Sequence, residues 1–275
     1  MLLRLESLMP HAEKINPRIS RREVGWHLEH SLKIICSIGK ALVNKYASQG
    51  NTIAIADKSQ DQAHFLANEI QKRGGKAAAF PGDLLDKNYC DNLTKKVQIK
   101  LGAINILINN AGLMRRGDIT QATDEDFELS MKINVEAPFR LIRSVIPLMT
   151  KAGGGSIVNV SSCWGVNPGP NHLVYCTTKA ALAAMTRCLG RDHAHQNIRI
   201  NAVCPNEVNT PMLRTGFEIR GLNPDDAINE LNQSIPIGHI AEPEEIADVI
   251  AFLTSDEARY VCGSLVEING GKAVY

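Results

Sequence analysis

From Asn51 onward, short apolar runs rich in β-branched residues alternate with longer stretches of helical periodicity. Near-continuous apolar strands separated by helices are typical of a parallel sheet that helices cover on both faces. This pattern predicts an α/β fold with a doubly wound, Rossmann-like parallel sheet, and a chain of 275 residues is long enough for a single domain of this kind. The predicted strands are 52–57, 76–80, 104–112, 155–162, 198–204 and 264–270, and the predicted helices are 60–74, 86–102, 123–149, 173–194 and 242–255.

The beginning of the chain does not share this alternation. Residues 1–30 mix arginines with glutamates, and they have neither the apolar core of a secretory signal nor the acid-poor composition of a transit peptide. We therefore divide the chain into an atypical N-terminal extension, residues 1–30, and a Rossmann-like domain, residues 31–275.

Charge and cysteine usage narrow the class of ligand. The formal net charge is +1, with acidic and basic residues interspersed, and no apolar run approaches the roughly 18 residues that span a bilayer. We expect a small-molecule substrate and neither a nucleic-acid nor a membrane partner. The seven cysteines include no C-x-x-C pair and the histidines form no ligand cluster, which predicts reduced thiols, a cytoplasmic protein and no metal site.

Asp57 is the first candidate for a cofactor contact. Ligands of doubly wound sheets bind beyond the carboxyl ends of the strands, and Asp57 ends a predicted strand 18 residues after Gly39. This spacing is typical of the acid that accepts hydrogen bonds from a ribose 2′-hydroxyl. A carboxylate repels a 2′-phosphate, which favours NAD, but Lys58 partly offsets that repulsion and leaves NADP as an alternative. Asp57 could instead be a turn residue at the strand end.

A second group of residues suggests proton transfer. Tyr175 and Lys179 are four residues apart on a predicted helix and share one face. A nearby ammonium favours the phenolate and so lowers the pKa of a tyrosine from its ordinary value of about 10. Such a pair alone is usually just a solvated helix face. Ser162 follows a predicted strand 13 residues before Tyr175, and the intervening loop could return its hydroxyl to the helix start.

The segment "SIVNVSSCWGVNPGPNHLVYCTTKAA" resembles the active-site region of the short-chain dehydrogenase/reductase family, in which a strand-end Ser and a Tyr-x-x-x-Lys helix form the catalytic centre. Further motifs like those of the family follow in order: "NNAG" at 109–112, "KINVEAPF" with Asn134, "INAVCP" before a cofactor-contacting loop, and "GSLVEINGG" near the end of the chain. The resemblance extends over residues 38–271.

The resemblance implies an oxidoreductase that transfers a hydride between a nicotinamide cofactor and a secondary alcohol or ketone. Tyr175 would transfer the proton, Ser162 would polarise the substrate oxygen, Lys179 would lower the pKa of Tyr175 and bind the nicotinamide ribose, and Asn134 would anchor a water of the proton relay. The implied cofactor contacts are Ser37, Ile38, Asp57, Asp83, Leu84, Asn109, Ala111, Gly112, Val208 and Thr210, together with Tyr175 and Lys179.

The resemblance also implies an assembly and a substrate pocket. Members of the family are usually tetramers packed through the helices that match 123–149 and 174–195, so we expect a homotetramer or a homodimer. The substrate pocket would be lined by Trp164, His172 and the variable stretch 212–234, none of which identifies the substrate.

The chain departs from the family at the glycine-rich turn that binds the cofactor pyrophosphate. Aligned on Gly39, two of the three expected glycines are replaced, by Lys33 and Ser37. One interpretation makes "LKIIC" a displaced first strand and leaves the N-terminus of the following helix to bind phosphate. The other excludes everything before Ile38 from the ancestral domain, and the abrupt start of the match favours it. The alternative function is then a catalytically impaired member that binds cofactor weakly and acts as a structural or associating subunit.

Overall fold

The structure is a computed structural model that describes residues 2–5 and 37–272. The described strands form one seven-stranded sheet in the order β3-β2-β1-β4-β5-β6-β7. They are β1 (Leu2–Leu5), β2 (Asn51–Asp57), β3 (Lys76–Pro81), β4 (Ile106–Asn109), β5 (Gly155–Val160), β6 (Ile198–Pro205) and β7 (Leu265–Ile268).

Nine α-helices of the described residues connect and cover these strands. They are α1 (Ser37–Ser48), α2 (Gln60–Lys72), α3 (Lys87–Leu101), α4 (Asp124–Met131), α5 (Ala137–Ala152), α6 (Leu173–His193), α7 (Pro211–Ile219), α8 (Pro224–Ser234) and α9 (Pro243–Thr254). A π-helical turn, Lys132–Glu136, joins α4 to α5. None of the described helices is both long enough and apolar enough to cross a membrane.

Two hydrophobic cores lie on opposite faces of the sheet, as a doubly wound fold requires. Strand β2 is buried along its whole length, and its side chains alternate between the cores. Ile53 and Ile55 belong to the core formed with α1, α2 and α9, whereas Ala54 and Ala56 belong to the core formed with α3 and α5. The predicted α/β doubly wound fold is confirmed.

The central strand differs from the prediction. β1 is antiparallel to both of its neighbours, pairing Leu5 with Asn51 of β2 and Leu2 with Leu107 of β4, whereas every other pair in the sheet is parallel. Residues 2–5, which our sequence analysis assigned to the extension, therefore lie inside the sheet. The backbone groups of β2 and β4 need hydrogen-bond partners between them, and this leucine-rich segment supplies them. The alternative first strand "LKIIC", and the replaced glycine position Lys33, lie outside the described residues.

Other differences concern helices. The predicted helix 123–149 is three consecutive segments, α4, the π-helical turn and α5, and it extends to Ala152. Helices α7 and α8 were not predicted, because they are short and the loop between them contains Gly221 and Asn223. They pack around a small separate cluster that includes Phe217 and Ile228. This cluster places α7 and α8 over the carboxyl edge of the sheet, where the predicted site lies.

Candidate active site

Ser162 and Tyr175 meet at the carboxyl end of β5. Ser162 follows β5 and opens a short 3-10 turn, in which its Oγ accepts a hydrogen bond from Trp164 N–H at 3.2 Å. Tyr175 lies in the first turn of α6. Burial raises the pKa of Tyr175 to about 12, and the nearby Ser162 hydroxyl limits that rise. The phenol alone is therefore a poor base near neutral pH.

Lys179 lies one helical turn beyond Tyr175 on α6. Its Nζ is 5.7 Å from the centroid of the Tyr175 ring and donates a hydrogen bond to Val160 O at 2.8 Å. The side chain is 3% exposed, and burial lowers the pKa of Lys179 to about 8. At neutral pH most of the ammonium is still protonated, so a positive charge lies beneath the phenol.

Asn134 lies in the π-helical turn, which directs its side chain toward the loop after β4. It accepts from Leu113 N–H at 2.8 Å and donates to Leu113 O and to Thr178 Oγ1 at 2.8 and 2.9 Å. Asn134 is fully buried, and its amide joins that loop to α6. Single π-helical turns inside α-helices are frequent at functional sites.

The predicted adenosine contacts lie at the ends of β2 and β3. Asp57 is 8% exposed, accepts a hydrogen bond from Ser59 N–H at 2.7 Å, and has its pKa raised to about 6 by burial. Asp83 accepts from Leu85 N–H at 3.0 Å and pairs with Lys58 at 3.2 Å. Leu84 is buried with its side chain in the hydrophobic core, so only its backbone is available to a ligand.

The segment after β4 is packed closely against Lys179. A Cβ added to Gly112 would come within 3.1 Å of Lys179 Nζ, so a larger residue here would require the ammonium to shift by a few tenths of an ångström. Asn109 donates to Asn159 at 2.8 Å, while its Oδ1 is buried and has no hydrogen-bond partner among the described residues. Ala111, which lies in the same segment between Asn109 and Gly112, is nearly buried.

A cavity of about 300 Å³ opens at this edge. Of the predicted residues it brings together Ile38, Gly112, Ser162, Tyr175, Lys179, Val208 and Thr210, together with Trp164 and His172 of the expected substrate pocket. Ser37, Asp57, Asp83, Leu84, Asn109, Ala111 and Asn134 do not line it. Sequence reasoning missed Arg116 and Glu207, which also line the cavity, because no motif marks them. Arg220 lines it too and falls within the predicted stretch 212–234, although nothing in the sequence singles it out there.

The residues present suit the two ends of a nicotinamide cofactor, its nicotinamide ribose and its adenosine ribose. Tyr175 and Lys179 face the cavity beside Gly112, and Asp57 offers a buried carboxylate at the end of β2. The unpartnered Oδ1 of Asn109 provides an acceptor between these two places. The pyrophosphate turn of the family falls in sequence on residues 33–39, of which the structure describes Ser37, Ile38 and Gly39 at the start of α1.

Comparison with known proteins decides the family. A family model described as Enoyl-(Acyl carrier protein) reductase matches residues 34–273. The chain belongs to the short-chain dehydrogenase/reductase family. It is 36% identical over 234 residues to an uncharacterized oxidoreductase of Thermotoga maritima, covering 85% of this chain and 92% of the relative. It is 34% identical to a 3-oxoacyl-[acyl-carrier-protein] reductase of the same organism, covering 86% and 94% of the two chains.

Solved structures agree with the fold of this short-chain dehydrogenase/reductase. L-sorbose reductase from Gluconobacter frateurii, complexed with NADPH and L-sorbose, matches with a TM-score of 0.82 at 29% identity, over 87% of this chain and 94% of that one. An NAD+-bound xylitol dehydrogenase matches with a TM-score of 0.81 at 25% identity, over 90% and 98%. The predicted NAD(P)-dependent short-chain dehydrogenase/reductase is confirmed.

Proposed function

We propose that this chain interconverts a secondary alcohol and a ketone, with Tyr175 as general acid and base and NAD as the favoured cofactor. The observation that carries the proposal is the arrangement around Tyr175. The Ser162 hydroxyl lies near its own and favours the phenolate, the ammonium of Lys179 lies 5.7 Å from the centroid of its ring, and all three residues face one cavity. When bound, the nicotinamide cofactor supplies the hydride acceptor or donor.

Side chains of this protein bind the substrate oxygen and transfer its proton. Ser162 and Tyr175 hold that oxygen, and in oxidation the Tyr175 phenolate removes its proton; in reduction the phenol returns it. For Tyr175 to act as a base near pH 7, its pKa must fall from about 12 by roughly five units, or about 7 kcal/mol. The Lys179 ammonium and the positive charge of an oxidised nicotinamide both favour the phenolate.

Asp57 supports the preference for NAD. Its carboxylate is buried at the end of β2, where a 2′-phosphate would add a second buried negative charge. Lys58, the cation beside it, pairs with Asp83 at 3.2 Å, so its charge is already partly compensated. The relatives include both NADPH and NAD+ complexes, and the choice in this chain therefore depends on its own residues.

A second candidate function is a catalytically impaired subunit, and the direction of β1 favours it. Because β1 is antiparallel, Leu5 at its carboxyl end pairs with Asn51 at the amino end of β2. The strand therefore ends at the edge of the sheet opposite to Asp57 and Ser162. It cannot lead into α1 by the single tight turn that holds a pyrophosphate in Rossmann folds.

Cofactor titration separates the two candidates. NADH added to the purified protein should raise nicotinamide fluorescence, and the titration should give a Kd below about 1 mM. A Kd of that size corresponds to roughly 4 kcal/mol of binding free energy. No binding at millimolar NADH or NADPH would support the impaired subunit.

Tyr175→Phe should reduce turnover by about 10² to 10⁴-fold, the usual contribution of a general acid or base, without unfolding the protein. Tyr260→Phe is the matched control, because that side chain is fully exposed.

We also propose a homotetramer or homodimer in the cytoplasm. Phe127 on α4 and Phe139 on α5 are 46% and 47% exposed, and they belong to the helices that pack subunits in the family. Exposed aromatic side chains of this kind are common at subunit interfaces. The six cysteines in the described part of the chain form no disulfide with one another, and free thiols are the usual state of cysteine in the cytoplasm. Light scattering of the wild type and of Phe139→Glu tests the assembly, and a wild-type monomer would contradict it.

A further inference from the structure

Two arginines line the cavity on the side of α7. Arg116 lies in the loop after β4, and a Cβ added to Gly216 of α7 would come within 2.5 Å of its Nη2. Arg220 ends α7, where its Nε donates to Gly216 O at 3.0 Å and its guanidinium lies 4.8 Å from the centroid of the Phe217 ring. Both guanidiniums therefore meet the same turn of α7, in the cavity that contains Tyr175.

His172 fixes the orientation of Arg116. The Nδ1 of His172 lies 2.8 Å from Pro170 O, and because a carbonyl can only accept, Nδ1 carries the proton. Nε2 of the neutral ring then accepts from Arg116 Nη1 at 2.7 Å. Burial first, and then the two guanidiniums, lower the pKa of His172, which keeps the ring neutral. One Arg116 donor is thus used for positioning, and the other donors of its guanidinium stay available to the cavity.

Neither arginine pairs with an acidic side chain in residues 37–272. Among the residues that the structure describes, no carboxylate lies within 4.0 Å of either guanidinium. Other arginines nearby are paired: Arg115 with Asp126 at 2.6 Å, and Arg214 with Asp225 at 2.8 Å. Arg220 is exposed and Arg116 partly buried, so water screens part of the repulsion between their charges, and a bound anion relieves the rest.

We infer that the substrate carries a carboxylate, which Arg116 and Arg220 bind while its hydroxyl or keto group faces Ser162 and Tyr175. This inference rests on the proposed function and names its substrate class, a hydroxy acid or the matching oxo acid. A monoanion suits the cavity better than a phosphate dianion, because Glu207 also lines it. That carboxylate is engaged by Lys272 at 3.0 Å, which leaves the two arginines as the cations at the α7 side of the cavity, apart from Lys179 beneath Tyr175.

The test compares short oxo acids with their methyl esters, which differ from the acids only in charge and one methyl group. Calorimetric titration measures binding, and NADH oxidation measures turnover. The acids should bind the wild type at least tenfold more tightly than the esters. Arg116→Gln and Arg220→Gln should each reduce that preference by about tenfold, a typical loss for one charged hydrogen-bond partner. Arg115→Gln removes the same charge one residue away, outside the cavity, and should keep the full preference.

The two readouts separate this inference from the proposed function. Arginine-dependent binding of the acids without any turnover supports the inference and contradicts the proposed function. Equal binding and turnover of acids and esters overturns the inference and leaves the proposed function intact. A preference for acids that survives in both arginine variants also overturns it, because other groups would then bind the carboxylate. Thermal unfolding of each variant checks that a reduced preference for acids does not result from unfolding of the protein.

Discussion

Replacing Lys179 by methionine should change how the stability of the protein depends on pH. The ammonium is 3% exposed, and burial lowers its pKa from the ordinary 10.5 to about 8. Between these two values the unfolded chain binds more protons than the folded one, so the free energy of unfolding rises with pH. The contribution is 2.5 pKa units, or about 3 kcal/mol. It penalises the folded wild type fully below pH 8 and disappears above about pH 10.5.

Lys179→Met lacks this titration. At pH 7 we expect the variant to be at least as stable as the wild type, although Val160 O loses a hydrogen bond at a cost of about 1 to 3 kcal/mol. Any advantage of the variant should then shrink by about 3 kcal/mol as the pH rises from 7 to about 10.5. Other groups that titrate in this range are common to both proteins and cancel in the comparison. The variant should also lose turnover, so the lysine would be retained for chemistry at a cost in stability.

Urea unfolding of both proteins at several pH values measures this difference. Lys151→Met, at an exposed position near the end of α5, is the matched control and should show no such dependence. If the gap between Lys179→Met and the wild type stays constant to within about 0.5 kcal/mol across the range, burial does not penalise the Lys179 ammonium and the reasoning is refuted.

Three further substitutions test other contacts. Asn134→Ala should lower the free energy of unfolding by about 2 to 4 kcal/mol in urea, because buried backbone groups of Leu113 lose their partners. Tyr46→Phe should lower it by about 1 kcal/mol, since the Tyr46 hydroxyl is bonded to Thr254 at 2.6 Å in the core. Asp57→Asn should weaken NADH binding. Since burial raises the Asp57 pKa to about 6, the stability of Asp57→Asn relative to the wild type should increase by about 3 kcal/mol between about pH 3 and pH 7.

Each of these substitutions has a control or a contrary outcome. Asn92→Ala removes an exposed amide from α3 and should be nearly neutral, so a similar loss there would contradict the account of Asn134. An unchanged midpoint of urea unfolding for Tyr46→Phe would mean that the hydrogen bond of the Tyr46 hydroxyl contributes nothing to stability. For Asp57→Asn, stability that tracks the wild type at every pH would show that the carboxylate is not strained by burial.

The buried strands could be predicted from the sequence because their signal is local. Strand β2 is buried from end to end and apolar over residues 53–56, so its pattern depends little on its partners. The start of α4 is equally local, since Thr123 accepts a hydrogen bond from Asp126 N–H at 3.1 Å as an N-cap. The π-helical turn at Lys132–Glu136 leaves no such mark, because one residue more per turn does not change the residue types in a helix.

The site divides in the same way. Ser162, Tyr175 and Lys179 form a compact motif around one strand and one helix, and its spacing is visible in the sequence. Arg116 and Arg220 are far apart in the chain and meet only because α7 packs over the cavity. Arginines in loops and at helix ends are common, so nothing in the sequence singles out this pair. The direction of β1 depends wholly on tertiary pairing and could not be predicted from four residues.

Strand β1 also forms a seam in the sheet, with β2 and β3 on one side and β4 to β7 on the other. Among the described residues its backbone pairs with β4 at two positions, Leu2 with Leu107 and Leu3 with Ile106, whereas the side chains of β2 and β4 share both hydrophobic cores. Asp57 lies on one side of this seam and Tyr175 on the other. A dinucleotide that contacts both Asp57 and Tyr175 would stabilise the two parts of the sheet against separation. Amide hydrogens of β2 and β3 would then exchange by sub-global opening in the free protein and become selectively protected when the ligand binds.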